Sequence, residues 1–582
     1  MNIRNLSNTP ISKIQLNNNQ QSRRVNTRMK ADEVSFTGSV TPSDKMSVYA
    51  VRLLDESGLK ENQPVYIEAD SKYLPFMNKL AEEAYKKGSG LVHVEAKEPE
   101  LEKLKEKYDI TEEFDYKKEK REEFKDGLKF TFDETNDPYK KAGIKDFEIK
   151  SELEKIYPPI PKNVRNEFKM NPEEIFKTAL DVHEGEPVLI AGEREHLPYI
   201  VEMVDYLYSK NNTKLVDVTF TDESDKALLK YAKDDVLEHV PQSRINADKE
   251  YYEKDTARLF LDGEDPHFLE DVDSSRIVKK AKAQGNARKK YRNLEAAHNP
   301  WLVYYAPTTK SCKEVYSEIS DPIEALKTAY KDANKINRVG KLEEHVETLQ
   351  TRADKLNELM SNGYRTLHYV SVDPETKQPD GKTDFRVTMS NKSKFKAARE
   401  SMEKTGHNPI VNIPTEEAFT APLASSAEGR IAATMPLSLN GKIVDGIVLK
   451  FEKGKVVDIK ASKNEDMLKE HIKSHKNADR LGEVALVAGS PIAKTGRLFN
   501  STLLDENAAC HLALGNAYPD CVDGALEIED YEEQEKYLKD MDINSSTTHN
   551  DFMVGGPNVY IYAENNDGDE IPVIKDDKFL LE

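Results

Sequence analysis

The sequence predicts an α/β N-terminal half made of a duplicated parallel α/β unit, followed by an α+β domain. Three observations lead there. The first is an internal repeat: at an offset of 123 residues, Glu61, Pro64, Val65, Ile67, Leu74, Pro75, Tyr85 and Tyr108 meet Glu184, Pro187, Val188, Ile190, Leu197, Pro198, Tyr208 and Tyr231. The second is the order within each copy, a short apolar strand, a helix with apolar residues at helical spacing, then another strand. That order favours a parallel sheet with right-handed crossovers. The third is a change of texture after Trp301, where short β-runs and turns come to dominate.

Taken in order, residues 1–45 read as a disordered polar tail. Residues 1–31 carry six Lys/Arg, many Asn and Gln, and no acid before Asp32. The first α/β unit spans 46–170, with strands at QPVYI (63–67) and LVHV (91–94). Between the copies, 95–160 is dominated by Lys and Glu and reads as a solvated helix or linker inserted in that unit. The second unit spans 171–300, with strands at EPVLI (186–190) and LVDV (215–218). Near its end, 276–292 packs eight Lys/Arg without an acid, which reads as a surface helix. Residues 301–582 form the α+β domain. It opens with the strand WLVYYAP (301–307), continues mainly helical to about 365, and then turns to β-runs including YRTLHYVSV, DFRVTM and LGEVALV.

Composition narrows the function. With 85 Lys/Arg against 105 Asp/Glu the net charge is −20, which argues against a nucleic-acid binder, because phosphate recognition needs a basic face. A hydrophobic content of 37%, a mean hydropathy of −0.72 and the lack of any apolar run near 20 residues exclude a membrane protein. Three sparse cysteines, Cys312, Cys510 and Cys521, speak against a disulfide scaffold and make a reducing cytoplasm the expected setting.

Two motifs carry no chemistry. His471 and His475 (HIKSH) have the spacing of a zinc peptidase, but the residue after the first His is Ile472 rather than Glu, and a solvated helix face is expected. GSPIAKT (489–495) lacks the Gly before Lys494 that a phosphate loop needs. The better constellation lies in the last 170 residues. Glu416 and Glu417 follow Pro414, and Glu483 interrupts the apolar strand LGEVALV, where an unpaired carboxylate would be costly. His511 falls in ENAACHLALGNAY, which reads as a helix, with Tyr518 two turns on and about 10 Å away on the same face. His549 and Asp551, two apart in an extended segment, share a face. Carboxylates and imidazoles without thiolates suit hard-to-borderline divalent ions.

The runs NIPTEEAFTAP, LGEVALV, SPIAKTGRLFNSTLLDENAACHLALGNAYP and THNDFMVGG closely resemble the metallo-aminopeptidases typified by aminopeptidases T and S. The similarity covers 411–582 and extends more weakly over 301–368 and the α/β units. The resemblance implies a metallopeptidase catalytic domain, removal of N-terminal amino acids from peptides with a free N-terminus, two divalent metal ions per chain (Zn, Co, Mn or Mg), and a homodimer. Carried over residue by residue, it makes Glu417, Glu483, His511, His549 and Asp551 the metal ligands and Tyr518 an active-site tyrosine. Glu416 is the expected general base, with Glu506 in reserve. Two other classes stay open on the sequence: another two-metal hydrolase acting on amides or phosphoesters, and a non-catalytic partner-binding protein with a vestigial site.

Overall fold

A computed structural model describes residues 40–402, 404–439, 442–499, 501–528 and 530–581. These residues divide into two units, one of 40–161 with 183–299, the other of 162–182 with 300–581. Most of the expected tail lies outside the described residues. Its last residues, 42–45, open the helix Pro42–Glu56, which Thr41 and Asp44 start with a capping box.

The first unit is α/β with two parallel sheets. Strand β1 (Val65–Asp70) lies between β2 (Val92–Lys97) and β3 (Leu128–Phe132), with Val65 in register with Val92 and Leu128. Strand β4 (Val188–Gly192) likewise lies between β5 (Val216–Phe220) and β6 (Ala257–Asp262). After both β1 and β4 comes one 3-10 turn and then a helix with Pro at its start, Leu74–Lys86 and Leu197–Lys210. Proline is tolerated there because its missing N–H would have no helical partner anyway. The helix Leu74–Lys86 buries Phe76, Met77, Leu80, Ala81 and Ala84 against β1, whose Val65 and Ile67 are also fully buried.

The Lys/Glu-rich segment is more than the solvated linker expected of it. Its LKFTF run is β3, a strand whose alternate residues Phe130 and Phe132 are buried while Lys129 and Thr131 face out. Phe114 and Tyr116 are buried in the same stretch, packed on Tyr251. The basic run 276–292 lies within the 25-residue helix Ser274–His298, where Arg288 pairs with Asp248 at 2.6 Å in the interior.

In the second unit, residues 162–182 fold with 300–581 rather than with the α/β half. Phe168 stacks on Tyr330 with ring centroids 4.9 Å apart, and the Ile410 N–H donates to the Ala179 carbonyl. Strand β7 (Trp301–Tyr305) pairs in parallel with β9 (Asn412–Ile413). An eight-stranded antiparallel sheet is built from residues between 366 and 579. A five-stranded antiparallel sheet carries the candidate site, in the order β8 (Lys396–Ala397), β10 (Glu417–Thr420), β11 (Leu481–Val487), β12 (His511–Gly515) and β13 (His549–Met553). His511 therefore begins a strand and not, as expected, the middle of a helix. Tyr518 follows that strand at the start of a single 3-10 turn, so its relation to His511 is not two helical turns.

Candidate metal centre

Strand register gathers the site. Glu417 is opposite Val487, Ala485 opposite His511, Glu483 opposite Ala513, Ala513 opposite Asp551, and Gly515 opposite His549. Directly opposed residues share a face and alternate residues along a strand return to it. These pairings put Glu417, Glu483, His511, His549 and Asp551 on one face of the sheet, contributed by four adjacent strands. A register shift between Leu481 and Glu483 accompanies this arrangement. Gly482 sits at the shift, where a Cβ would lie 2.3 Å from the Asn516 carbonyl oxygen. Only glycine lets that carbonyl approach, and the same carbonyl holds His549.

The five side chains converge. Ligand atoms of Glu417, Glu483 and His511 lie within 4.8 Å of one another, as do those of Glu483, His549 and Asp551, so Glu483 belongs to both groups. His511 Nε2 is 3.2 Å from Glu417 Oε2, and His549 Nε2 is 3.0 Å from Glu483 Oε2 and 3.2 Å from Asp551 Oδ1. Each imidazole is held from behind: His511 Nδ1 donates to the Ala509 carbonyl at 3.2 Å, and His549 Nδ1 to the Asn516 carbonyl at 2.7 Å. A carbonyl can only accept, so Nδ1 carries the proton and Nε2 faces the carboxylates.

Burial penalises charge here, but the carboxylates outweigh it at both histidines. Against the cost of burial, the Glu417 carboxylate facing it, together with the charges of Asp551 and Glu483, pushes His511 up to about 10. His549 is raised well above its ordinary value against burial by Asp551 and Glu483. Burial raises the Glu483 carboxyl, only partly offset by His549. Burial, with the charges of Glu417 and Asp551, raises Glu506 strongly. Asp551 is lowered despite burial because His549 faces it.

The donor set fits divalent cations. Glu417 Oε2 and Asp551 Oδ1 are buried and make no hydrogen bond, a costly state for a carboxylate oxygen unless a cation faces it. Donor atoms about 3.0–3.4 Å apart are what bonds of about 2.1 Å to a shared ion require. The set contains no thiolate: Cys312, Cys510 and Cys521 are buried, and none of them joins the converging groups.

The expected base Glu416 is not brought to this cluster. Glu417 faces the site, so its neighbour projects through the opposite face. There Arg338 grips Glu416 through Nε and Nη2 at 2.9 and 2.6 Å, and the Glu416 backbone N–H donates to Asn507 Oδ1. Glu506, the reserve residue, does line the site. The cleft beside the cluster is also lined by Tyr518, Phe419, Thr415, Asn412 and a charged wall of Lys396, Arg399, Glu400 and Asp520. Tyr518 packs edge-on against Phe419, and its hydroxyl is 3.3 Å from His549 Nε2. His471 and His475 lie together on the helix Glu465–Ser474 and its cap, where His471 contacts Thr548 and Asn550. The charged wall and the two carbonyls behind the histidines gave no signal in the sequence: the wall is assembled by folding, and a backbone carbonyl has no residue type.

Comparison with known proteins agrees with this chemistry. The thermophilic metalloprotease family M29 matches residues 168–579, leaving 1–167 outside the match. The chain is 32% identical to aminopeptidase AmpS of Bacillus subtilis over 409 residues, covering 69% of this chain and 95% of that one. It is 30% identical to aminopeptidase 2 of Geobacillus stearothermophilus, covering 70% and 96%. Among solved structures it is similar to wild-type AmpT from Thermus thermophilus, with a TM-score of 0.63, 25% identity, and coverage of 72% of this chain and 99% of that one.

Proposed function

From the premise that this chain belongs to the thermophilic metalloprotease family M29, and is thus a peptide hydrolase of the metallo-aminopeptidases, we propose that it removes N-terminal residues using two divalent cations. Glu417, Glu483 and His511 would hold one and Glu483, His549 and Asp551 the other, with Glu483 shared. When bound, such cations supply Lewis acidity toward a peptide carbonyl and acidify a water molecule.

The chain's own residues do the rest. Glu506, raised by burial among carboxylates, takes a proton at a carboxylate oxygen and returns it to the leaving amine, as a carboxyl tuned upward can. The Tyr518 hydroxyl donates a hydrogen bond to the oxyanion that develops on the carbonyl. The Ala509 and Asn516 carbonyls keep Nε2 of His511 and His549 facing the centre. Phe419 and the buried strands around the cleft keep bulk water from competing.

The observation that carries this reading is the pair of buried carboxylate oxygens without hydrogen bonds, on one sheet face with two oriented imidazoles. The test is mass spectrometry of a free decapeptide and its N-acetylated twin in the presence of zinc, cobalt, manganese or magnesium. Stepwise loss of single residues from the free peptide alone supports it. Internal fragments from both overturn it in favour of an endopeptidase. Turnover of a phosphoester, or no turnover with any cation, favours the other hydrolase class or a vestigial site.

A homodimer working in the cytoplasm completes the proposal, the dimer to be checked by sedimentation of the full chain. The first α/β unit is read as a copy of the second. Both give strand, 3-10 turn, Pro-started helix and parallel strand, and the family match begins only after the first.

A further inference from the structure

The charged wall that lines the same cleft as the carboxylate cluster has an imbalance. Of its two cations, Lys396 is held by Asp520 at 2.9 Å, and Arg399 is held by Glu343 and the Asn408 carbonyl, both at 2.7 Å. Glu400 lines the same cleft, is half-buried, and has neither an ion pair nor a side-chain hydrogen bond among the described residues. Its position is fixed by the backbone, since its N–H donates to the Pro409 carbonyl and Arg399 is bridged to Ile410. With Arg399 drawn off by Glu343, which is not on this wall, Lys396 is the one cation left beside the two carboxylates Asp520 and Glu400. One negative charge is left facing the cleft.

We propose that Glu400 binds a primary ammonium group of the substrate beside the site of hydrolysis. This rests on the aminopeptidase reading. A protonated amine on a peptide substrate has two sources, the α-amine of every substrate and the side chain of an N-terminal lysine, and both fit a carboxylate on a polar wall. Burial, with the neighbouring Asp520, pushes the Glu400 carboxyl above its ordinary range although Lys396 pulls the other way, so an arriving cation relieves a penalty that Lys396 leaves in place. The carboxylate cluster cannot serve the same purpose, because Glu417, Glu483, His511, His549 and Asp551 are already turned toward one another.

The experiment compares the metal-loaded wild type with Glu400→Gln and Glu400→Asp on p-nitroanilides of leucine, norleucine and lysine. Glu400→Gln is expected to raise KM about tenfold with kcat little changed, the pattern of a lost ground-state contact, and Glu400→Asp to recover part of it. A rise on all three substrates identifies the α-ammonium as the bound group. A rise on lysine alone identifies the side-chain ammonium. Unchanged KM on every substrate overturns the assignment. Calorimetric titration of the same proteins with leucinol and lysinol reads the binding loss without turnover. A wild type inactive on all three anilides would defeat the aminopeptidase reading, while the amino-alcohol titrations would still judge Glu400.

Discussion

Glu483 Oε2 stands 3.0 Å from His549 Nε2, while the other ring nitrogen of His549 is tied to the Asn516 carbonyl at 2.7 Å. With the Nδ1 proton committed to a carbonyl, a neutral His549 presents a lone pair to a carboxylate oxygen. That contact is repulsive unless a proton or a cation lies between the two. The same logic holds between His511 and Glu417, so the cluster is built for positive charge at its centre.

Glu483 belongs to both groups of converging donors, so its loss should be felt twice. Glu483→Gln keeps the shape and removes the charge. It should lower turnover by about a hundredfold or more and reduce bound metal, with the far-ultraviolet dichroism unchanged. Wild-type turnover in a folded, fully loaded Glu483→Gln protein would remove this residue from the site.

Metal binding should release protons. In the metal-free fold His511 is held up at about 10, so it is protonated across the neutral range. As a group raised above its unfolded value of about 6.5, it lends stability that is complete below that value and is lost as pH climbs through about 10. A cation must displace this proton, and that of His549, which is also raised. The stabilisation by added zinc or cobalt should therefore grow with pH between 6 and 9, by about 1.4 kcal/mol per pH unit for each displaced proton. Calorimetry in buffers of different protonation heats counts those protons, and a count of zero would contradict the assignment of both histidines. Chelation should abolish activity and added cation restore it. Thiol reagents should act weakly, since the three cysteines are buried outside the donor set.

Glu416 and Glu506 should separate cleanly. Glu416 is fully buried in a two-pronged pair with Arg338, and stranding such a carboxylate costs roughly 3 kcal/mol. Arg338→Met should thus lower the unfolding midpoint clearly. Glu506→Gln, at the cleft, should leave the midpoint nearly unchanged and cut kcat by about 10²–10⁴. The reverse pattern in thermal melts and initial rates would return the base to Glu416.

Short-range periodicity explains what could be read in advance. A lone Glu483 among Leu481, Val484, Ala485 and Leu486 announces a strand with something to hold, and His549 and Asp551 at a spacing of two announce a shared face. His511 was harder, because ENAACHLALGNAY is rich in helix-forming alanine and leucine. Tertiary pairing overrides that propensity: His511 is laid between Ala485 and Met553, and Gly515 adopts a φ of 116° where a Cβ would lie 2.0 Å from the Thr548 carbonyl oxygen. Choosing between adjacent Glu416 and Glu417 needs the facing of one strand, which composition cannot supply. The strand at Leu128–Phe132 was hidden by its lysine-rich flanks, although its alternating Phe130 and Phe132 carry the period of two.

The α/β half yields a prediction with a definite pH sign. Asp217 is 1% exposed and receives Lys117 Nζ at 2.6 Å, together with the hydroxyls of Tyr116 and Tyr251. Burial alone would raise its carboxyl, but Lys117 and the two tyrosines outweigh that and hold it below the ordinary value. A depressed carboxyl lends stability above its unfolded value of about 3.9, lost only as pH falls through the still lower folded value. Lys117→Met removes the cation and leaves the tyrosine bonds, so burial prevails and the carboxyl rises. The variant should be destabilised by roughly 3 kcal/mol at pH 7.5, the order for a buried charge that loses its partner. Its deficit should shrink toward pH 5, because protonating Asp217 removes the stranded charge while the wild type gains nothing from acid in that range. Adding Asp217→Asn should recover part of the loss at pH 7.5. Denaturant melts of the single and double variants at both pH values decide the matter, and a deficit that stays constant from pH 7.5 to 5 would mean that Lys117 acts through packing rather than through Asp217.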